Sequence, residues 1–435
     1  MKQTVNIFWF RRDLRLEDNV GLYEALIGTH PVLLLFIFDS KILNKLPEDD
    51  ARVTFIHKTI IELKNKLKSD FNTSIALFHG NPVDVYKTLI KDYNIETVFT
   101  NHEYEPYART RDKDIDTFLS KRNIQFKTFK DQVIFEKDDV VKSDGTPYLV
   151  YTPYMKRWKE TFRKLDFKSY PSETLLKNLI SNINLPHLSL SDIGFLKSKQ
   201  KVESYLVTSN LIQNYEATRN FPCQDSTSKL GPHLRFGTVS IRNMVKKAIA
   251  ETNEIFWQEL IWREFFTQIL WHFPHTKDKS FKPKYDRIEW RNNETEFKLW
   301  CEGKTGYPLV DAGMRQLNET GFMHNRVRML VGSFLCKHLL IDWRWGEAYF
   351  SEKLHDYDMA SNIGNWQWVA GCGVDAAPYF RIFNPTTQIQ KFDKDLKYIK
   401  HWLPDFQELA YLTPMVDHKF ARERCLKVYK SAINS

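Results

Sequence analysis

Apolar runs alternate with amphipathic stretches through the first 130 residues of the chain. Runs without polar interruption, such as VLLLFIF after Pro31, are typical of parallel strands that are covered on both faces. Asn81 and Pro82 follow one such run in the cap-then-proline order that begins a helix. The alternation predicts a doubly wound α/β domain on a parallel sheet over residues 1–130. The predicted strands are VNIFWF, PVLLLFIFD, SIALFHG, ETVFTN and IQFKTFK, and the predicted helices include residues 19–26, 49–67 and 109–120.

A 3.6-residue period dominates the chain from about residue 197 and predicts an all-α domain over residues 197–435. Between the two domains, residues 131–196 are rich in Ser, Pro and Asn, and we interpret them as a connector. Ser240 is a suitable N-cap for one of the helices. The clearest predicted helices are Lys201–Thr218, Ser240–Thr252, Glu254–Trp271 and Asn325–Leu340.

Composition narrows the class of protein. The 435 residues are 42% hydrophobic and 27% charged, which fits a two-domain protein with a sizeable core. No apolar run reaches the ~18 residues that a membrane span needs, and the N-terminus does not resemble a signal peptide. Five scattered cysteines without a CxxC pair indicate reduced thiols in the cytoplasm and argue against a cysteine-held iron–sulfur or zinc site. The net charge of +9 suits a polyanionic partner.

The stretch HDYDMASNIGNWQW from His355 combines hydrogen-bonding and stacking groups. Asp356, Asp358 and Asn362 can bond the edge of a flat heterocycle, and Trp366 and Trp368 offer stacking surfaces. The stretch therefore reads as the wall of an aromatic-cofactor site. The alternative is a buried helix with two core tryptophans and a solvated aspartate pair, and the residues alone leave both open. No GxGxxG or Walker loop supports a dinucleotide or ATP site.

Two further clusters have the composition of a ligand site. Tyr215, Arg219 and the run Thr227-Ser228-Lys229-Leu230-Gly231 offer hydroxyls, backbone N–H groups and cations, as a phosphate cradle requires, although a simple capped turn is the commoner meaning of such a run. Glu259, Trp262 and Arg263 share one helix face, which is either a ligand wall or an ion pair beside a core tryptophan.

Basic and aromatic residues of the C-terminal half suggest a nucleic-acid face. Asn325 and Met329 lie four residues apart on one predicted helix face, where they could contact bases, or the helix could be merely amphipathic. Arg326 and Arg381 are among the basic residues that accompany the aromatics. Trp290, Trp343 and Trp366 could relay electrons, but from the residues alone three unrelated core tryptophans are favoured.

The motifs occur together in an order that resembles the photolyase/cryptochrome family, and within it the bacterial class I cyclobutane-pyrimidine-dimer (CPD) photolyases. The resemblance covers nearly the whole chain. Its motifs are FWFRRDLRLEDN, TSKLGPHLRFG, ELIWREFF, EGKTGYPLVDAGMRQL, GFMHNRVRM, LIDWRWGE and DYDMASNIGNWQW with DAAPYFRIFNPTTQ.

The resemblance implies a non-covalent FAD in the helical domain and blue-light repair of a pyrimidine dimer flipped out of DNA. It places the side chain of Asn362 beside the N5 atom of the flavin. It places Glu259 on the thymine carbonyls and Trp262 and Trp368 against the dimer, and Met329 favours CPD over (6-4) lesions. The implied FAD contacts are Tyr215, Thr227, Ser228, Arg263, Asn325, Asp356, Asp358 and Asn362, to which we add Arg219, Lys229, Leu230 and Gly231 from the cradle.

The implied photoreduction chain runs from Trp366 through Trp343 to Trp290. Asn325, Arg326 and Arg381 complete the expected DNA and lesion contacts. The protein is expected to act as a monomer on DNA that contains pyrimidine dimers, away from membranes. The alternatives are a (6-4) photolyase and a cryptochrome photoreceptor without repair, which the short basic C-terminus disfavours.

Two features depart from the family pattern or leave it open. Gly231 stands where the phosphate loop usually carries a second Ser, so one hydroxyl contact is missing. Residues 101–105 (NHEYE) resemble part of the antenna region, but they do not assign the second chromophore, a folate or a deazaflavin.

Overall fold

The computed structural model describes residues 2–181, 184–407 and 411–434. Within these ranges five parallel strands form one sheet in the order β3-β2-β1-β4-β5. The chain moves outward from β1 to β3 and returns to β4 beside β1, so the strand order reverses there as in doubly wound folds. The strands are β1 (Thr4–Phe10), β2 (Val32–Asp39), β3 (Ile75–Gly80), β4 (Asn94–Asn101) and β5 (Gln125–Phe129).

Helices cover the sheet and make up most of the rest of the described chain. The first nine are α1 (Val20–Leu26), α2 (Ser40–Leu43), α3 (Ala51–Phe71), α4 (Pro82–Asp92), α5 (Pro106–Ser120), α6 (Tyr151–Arg163), α7 (Ser209–Thr218), α8 (Gly231–Phe236) and α9 (Ile241–Ile249). They are followed by α10 (Ile255–His272), α11 (Glu294–Cys301), α12 (Pro308–Thr320), α13 (Asn325–Ser333), α14 (Trp343–Lys353), α15 (Met359–Ala370), α16 (Pro385–Phe392), α17 (Lys397–Trp402) and α18 (His418–Asn434). The predicted fold class, an α/β domain and an all-α domain, is confirmed.

The chain divides into two compact units whose segments interleave. The α/β unit comprises residues 1–136, 161–205 and 229–247, and the helical unit comprises 137–160, 206–228 and 248–435. The domain boundaries drawn from the sequence at 131 and 197 stay a prediction. In the described ranges no helix is long and apolar enough to cross a membrane.

Strands β1 and β2 are buried on both faces, which is why their sequences lack the alternation of a half-exposed strand. Beside the sheet, the carboxylate of Asp131 accepts hydrogen bonds from Arg15 at 2.7 Å and Arg242 at 2.8 Å. Arg242 also donates to Asp18 at 3.0 Å, and all four side chains are buried. The α/β unit therefore contains a fully paired charge network formed by residues distant in sequence.

Two predicted helices differ from the structure. The helix predicted for Lys201–Thr218 begins only at Ser209, because the side chain of Thr208 accepts a hydrogen bond from the backbone N–H of Leu211 and caps α7 there. The helix predicted for 325–340 ends as α-helix at Ser333 and continues as a π-helix over Phe334–His338. Ser240 is confirmed as an N-cap, since its Oγ accepts a hydrogen bond from Asn243 at 3.3 Å.

Candidate functional site

The N-terminus of α15 presents two carboxylates with different partners. Asp358 is the N-cap, and its side chain accepts a hydrogen bond from the backbone N–H of Ser361 at 3.2 Å. Asp356 forms two hydrogen bonds with the guanidinium of Arg328, at 3.1 and 2.9 Å. Arg328 lies on α13, so this ion pair joins α13 to the segment that precedes α15. The structure thus brings a cation, two carboxylates and a helix N-terminus together.

Asn362 follows one turn later on α15 and is buried. Its amide nitrogen donates to Glu347 on α14 twice, to the carbonyl oxygen at 3.2 Å and to Oε1 at 3.0 Å. With the nitrogen engaged by Glu347, the amide oxygen is the end of Asn362 that can accept a hydrogen bond from a ligand. Burial raises the pKa of Glu347. Sequence analysis did not select Glu347, because nothing in its local pattern distinguishes it.

Glu259 on α10 is held by Arg219, which ends α7. The guanidinium of Arg219 donates to Glu259 Oε1 at 2.5 Å, and the same guanidinium lies 5.4 Å from the ring centre of Tyr215. Burial, with the charge of Glu259, raises the pKa of Tyr215 to about 12. Arg219 therefore contacts both Glu259 and Tyr215, and all three are predicted cofactor or lesion residues.

Trp262 is stacked with two aromatic side chains. Tyr151 lies parallel to it at 3.5 Å between ring centres, and Phe266 is stacked with it at 5.5 Å. The Tyr151 hydroxyl donates to the carbonyl oxygen of Gln258 at 2.7 Å, which fixes the ring over the indole. Tyr151 thus covers one face of the Trp262 indole, and no local pattern in the sequence distinguishes this tyrosine.

Three arginines of the helical unit lie close enough to affect one another. The pKa of Arg326 is lowered by burial and by the charges of Arg219 and Arg381. Arg326 Nη1 contacts the sulfur of Met329 at 3.8 Å, and its guanidinium lies 4.5 Å from the ring centre of Phe392. Its Nε has no hydrogen-bond partner among the described residues. Such a concentration of like charge is typical of a site for a polyanion.

Arg381 belongs to the loop between α15 and α16. Its guanidinium lies 5.9 Å from the ring centre of Trp368 and 5.5 Å from that of Phe383. Its neighbour Phe380 is 61% exposed. The loop therefore presents a cation and an exposed aromatic ring beside Trp368. Sequence analysis selected Arg381 and Trp368 but not Phe380.

Trp366 is buried where two glycines let helices approach it. A Cβ atom at Gly346 would lie 2.1 Å from its ring, and one at Gly332 would lie 3.5 Å from it. Trp300, which the sequence analysis did not select, lies 6.3 Å from Trp366 between ring centres. Gly346 is one turn beyond Trp343, the first residue of α14. Trp290, the third predicted relay residue, packs edge-on against Tyr429 at 6.0 Å and is half-buried.

The other predicted cofactor residues have these positions. Thr227 and Ser228 are half-buried loop residues of the helical unit, and the Ser228 carbonyl accepts a hydrogen bond from Leu206 at 2.9 Å. In the α/β unit, Lys229 has a left-handed backbone (φ 52°), and its ammonium lies 3.4 Å from Glu203. Leu230 and Gly231 begin α8, Arg263 is on α10 and Asn325 is the first residue of α13.

The side chains of residues 101–105 form bonds within the α/β unit. His102 lies 2.8 Å from both Glu136 and Thr128, and Glu105 lies 2.9 Å from both Arg12 and Arg235. Asn101, Glu103 and Tyr104 are likewise bonded, to Asp13, Arg111 and Glu136. The identity of an antenna chromophore stays open. Among the described residues no cluster of three or more His, Cys, Asp or Glu could hold a metal ion.

Comparison with known proteins gives consistent matches along the chain. Residues 256–431 match the family model described as the FAD binding domain of DNA photolyase, and residues 6–173 match the model described as DNA photolyase. The deoxyribodipyrimidine photo-lyase of Alkalihalophilus pseudofirmus is 34% identical over 97% of both chains.

Two solved structures are similar over almost the whole length. A bacterial class III photolyase from Agrobacterium tumefaciens is 33% identical with a TM-score of 0.88, covering 100% of this chain and 99% of that one. A cryptochrome from Synechocystis is 25% identical with a TM-score of 0.85, covering 98% and 99%.

Proposed function

Because the chain belongs to the DNA photolyase family, we propose that it repairs cyclobutane pyrimidine dimers in DNA in a light-driven reaction with FAD as cofactor. The observation that carries the proposal is the cluster of Glu259, Arg219, Arg326 and Arg381 in the helical unit. It combines a carboxylate for the bases with cations for the phosphates. The class within the family stays a prediction.

The donor set around α15 fits a flavin. An isoalloxazine edge carries both donors and acceptors, and the site offers the Arg328 guanidinium, the Asp356 and Asp358 carboxylates and the Asn362 amide oxygen. Bound FAD, once reduced and excited by blue light, supplies the electron that opens the cyclobutane ring. The protein holds this cofactor through α13 and α15, and it excludes water with the apolar residues that surround Trp366. Tyr215, Arg219, Arg263, Asn325 and residues 227–231 are proposed as further FAD contacts.

The lesion side is proposed to be formed by Glu259, Trp262, Met329 and Trp368. Glu259 accepts hydrogen bonds from the pyrimidine edges and gives electrostatic stabilisation in a site from which water is excluded. Since Arg219 binds the same carboxylate, it keeps Glu259 in a single orientation. Binding of the dimer displaces Tyr151 from Trp262, because both would occupy the same face of the indole.

The arginine cluster is proposed to neutralise the DNA phosphates next to the lesion. Phosphate contacts give affinity without sequence preference, which suits an enzyme that must find damage anywhere. The exposed ring of Phe380 can enter the gap that a flipped-out dimer leaves. We propose that the protein does this as a monomer in the cytoplasm.

Trp366, Trp343 and Trp290 are proposed to carry electrons from the protein surface inward when the cofactor has become oxidised. The variant Trp366→Phe is expected to lose photoreduction of oxidised FAD and to keep repair by enzyme that has been reduced chemically. Absorbance under continuous blue light measures the first property. Unchanged photoreduction would remove the relay assignment, and would direct attention to other aromatics.

The decisive experiment offers chemically reduced protein two oligonucleotides, one with a CPD and one with a (6-4) photoproduct, under blue light. Repair of the CPD substrate alone is expected, because Met329 at this position of the family motif resembles the CPD enzymes. Repair of the (6-4) substrate would favour the second enzyme class. Repair of neither, in protein that contains FAD, would favour a cryptochrome photoreceptor.

A further inference from the structure

Lys337 is a buried lysine in an irregular helix. Its side chain is 1% exposed, although lysine is among the residues least often buried. It lies in the π-helix Phe334–His338, and π-helical turns are rare and frequent at functional sites. Burying an ammonium is unfavourable unless it forms strong hydrogen bonds. Because the π-helical turn and the buried ammonium are both unfavourable, we expect this segment to have a function.

The partner of Lys337 is the loop that carries Arg381. The Lys337 ammonium donates to the carbonyl oxygen of Arg381 at 2.8 Å. The backbone N–H of Arg381 donates to the carbonyl oxygen of Pro378 at 2.9 Å, which forms a tight turn over residues 378–381. Lys337 therefore binds the last residue of this turn. Phe380, the exposed aromatic residue, lies within this turn.

A second anchor holds the other end of the same loop. The carboxylate of Asp375 accepts a hydrogen bond from the backbone N–H of Tyr151 at 3.0 Å. Between the two anchors, Tyr379 stacks on the buried Tyr429 with ring centres 6.1 Å apart. Residues 375–381 are therefore held by contacts with buried parts of the helical unit, while Phe380 and Arg381 stay exposed.

We infer that Lys337 is a positioning residue for DNA binding, which sets the backbone of the Phe380–Arg381 turn against the damaged strand. The inference rests on the proposed function, since that function gives the turn its ligand. Lys337 touches neither DNA nor cofactor in this role. It acts through the Arg381 carbonyl, and its own charge is too deeply buried to attract phosphates directly.

The surroundings of Lys337 predict that the order of the turn depends on pH. Burial lowers the pKa of Lys337 to about 8, and the charged and titratable groups that act on it are Arg381 and the thiols Cys336, Cys372 and Cys425. Burial raises the pKa values of all three thiols, so the ammonium titrates first. A neutral amine is a weaker donor, so the turn should loosen as the pH rises through about 8.

The test uses full-length protein with FAD bound and the variant Lys337→Met, which has a similar shape and no charge. We expect the variant to fold, because burying an ammonium has a desolvation cost that an apolar side chain of similar length does not have. Its Kd for CPD-containing DNA should rise about tenfold, the loss expected for one charge-assisted hydrogen bond. The flavin spectrum and the repair rate at saturating DNA should stay unchanged. Lys298→Met, at an exposed lysine of α11, is the matched control for the loss of one positive charge.

Amide hydrogen exchange separates this inference from the proposed function. Lys337→Met should speed the amide exchange of residues 379–383 without any DNA, and Lys298→Met should not. Between pH 7 and pH 9 (about one unit on either side of the pKa), the DNA affinity of the wild type should fall more than that of Lys337→Met. If Lys337→Met shows the same amide exchange as the wild type, the inference is overturned. It is also overturned if the wild type repairs a lesion and Lys337→Met binds DNA with the same Kd. Faster exchange in a protein whose wild type repairs neither lesion overturns the proposed function and leaves Lys337 as the anchor of the turn. If Lys337→Met fails to fold, Lys337→Gln is measured in the same way.

Discussion

Two groups of charged residues, one in each unit, are arranged in opposite ways. In the α/β unit, Arg15 and Arg242 share the carboxylate of Asp131, and every charge of that network has a partner of opposite sign. In the helical unit, Arg326 is instead surrounded by Arg219 and Arg381. The first arrangement stabilises the fold. The second has a free-energy cost until an anion from outside neutralises it, so it indicates where a ligand binds.

The two groups of charged residues also differ in their accessibility to solvent and to DNA. Asp131 and its partners are inaccessible, so they contribute to stability and cannot contact DNA. Arg381 is exposed and contributes little to stability, and it is available to phosphates. The two roles can therefore be tested independently.

The variant Asp131→Ala is expected to reduce the free energy of unfolding by about 3–5 kcal/mol, because it leaves two buried guanidiniums without their carboxylate. Burial alone would raise the pKa of Asp131, but Arg15 and Arg242 hold it below its usual range. This carboxylate therefore stabilises the wild type above about pH 4 and loses that effect as the pH falls. The variant should lack that part of the acid sensitivity. Denaturant unfolding at several pH values measures both effects.

Glu17→Ala is the matched control in the same unit, since Glu17 forms an exposed ion pair with Lys66 at 3.1 Å. Exposed pairs contribute about 0–1 kcal/mol, so the control should unfold close to the wild type. Equal effects of the two variants would contradict the view that the paired network holds the α/β unit.

Glu259→Ala tests the carboxylate that is bonded to Arg219 in the arginine cluster. Repair should fall about tenfold, because the pyrimidine edges lose a charged hydrogen-bond partner. Affinity for undamaged DNA should rise slightly, since Arg219 is released and the cluster becomes more positive. Repair assays and DNA titrations measure the two changes. Release of the flavin from this variant would instead make Glu259 a cofactor ligand.

Arg381→Gln should weaken DNA binding about threefold to fivefold and reduce the slope of log K against log salt by about 1, as expected for one phosphate contact. The free energy of unfolding should change by less than about 0.5 kcal/mol, because the side chain is exposed. Titrations at several salt concentrations give the slope. An unchanged slope would mean that Arg381 lies outside the DNA interface.

The sheet was predictable from sequence because burial on both faces leaves a local signal. β2 carries eight consecutive buried residues, and its apolar run stands out without any tertiary information. The N-cap Ser240 was likewise predictable, since a cap depends on neighbours within a few positions.

Contacts between segments that are distant in sequence could not be predicted from local patterns. Tyr151 and Trp262 are 111 positions apart, and only folding places one ring on the other. The π-helix at Phe334–His338 was read as a continuation of α13, because one extra residue per turn leaves the hydrophobic pattern almost unchanged. The specific roles of the flavin and lesion residues came from the family resemblance rather than from their spacing.

The position of Arg242 limits where the polypeptide can be divided into stable fragments. It lies on α9, more than 100 positions after the last strand of the sheet, yet it supplies a cation to Asp18 and Asp131. A polypeptide cut after residue 136 would retain all five strands and lack this guanidinium. Limited proteolysis in the loops before α8 should consequently leave fragments that stay associated, whereas expression of residues 1–136 alone should give insoluble material.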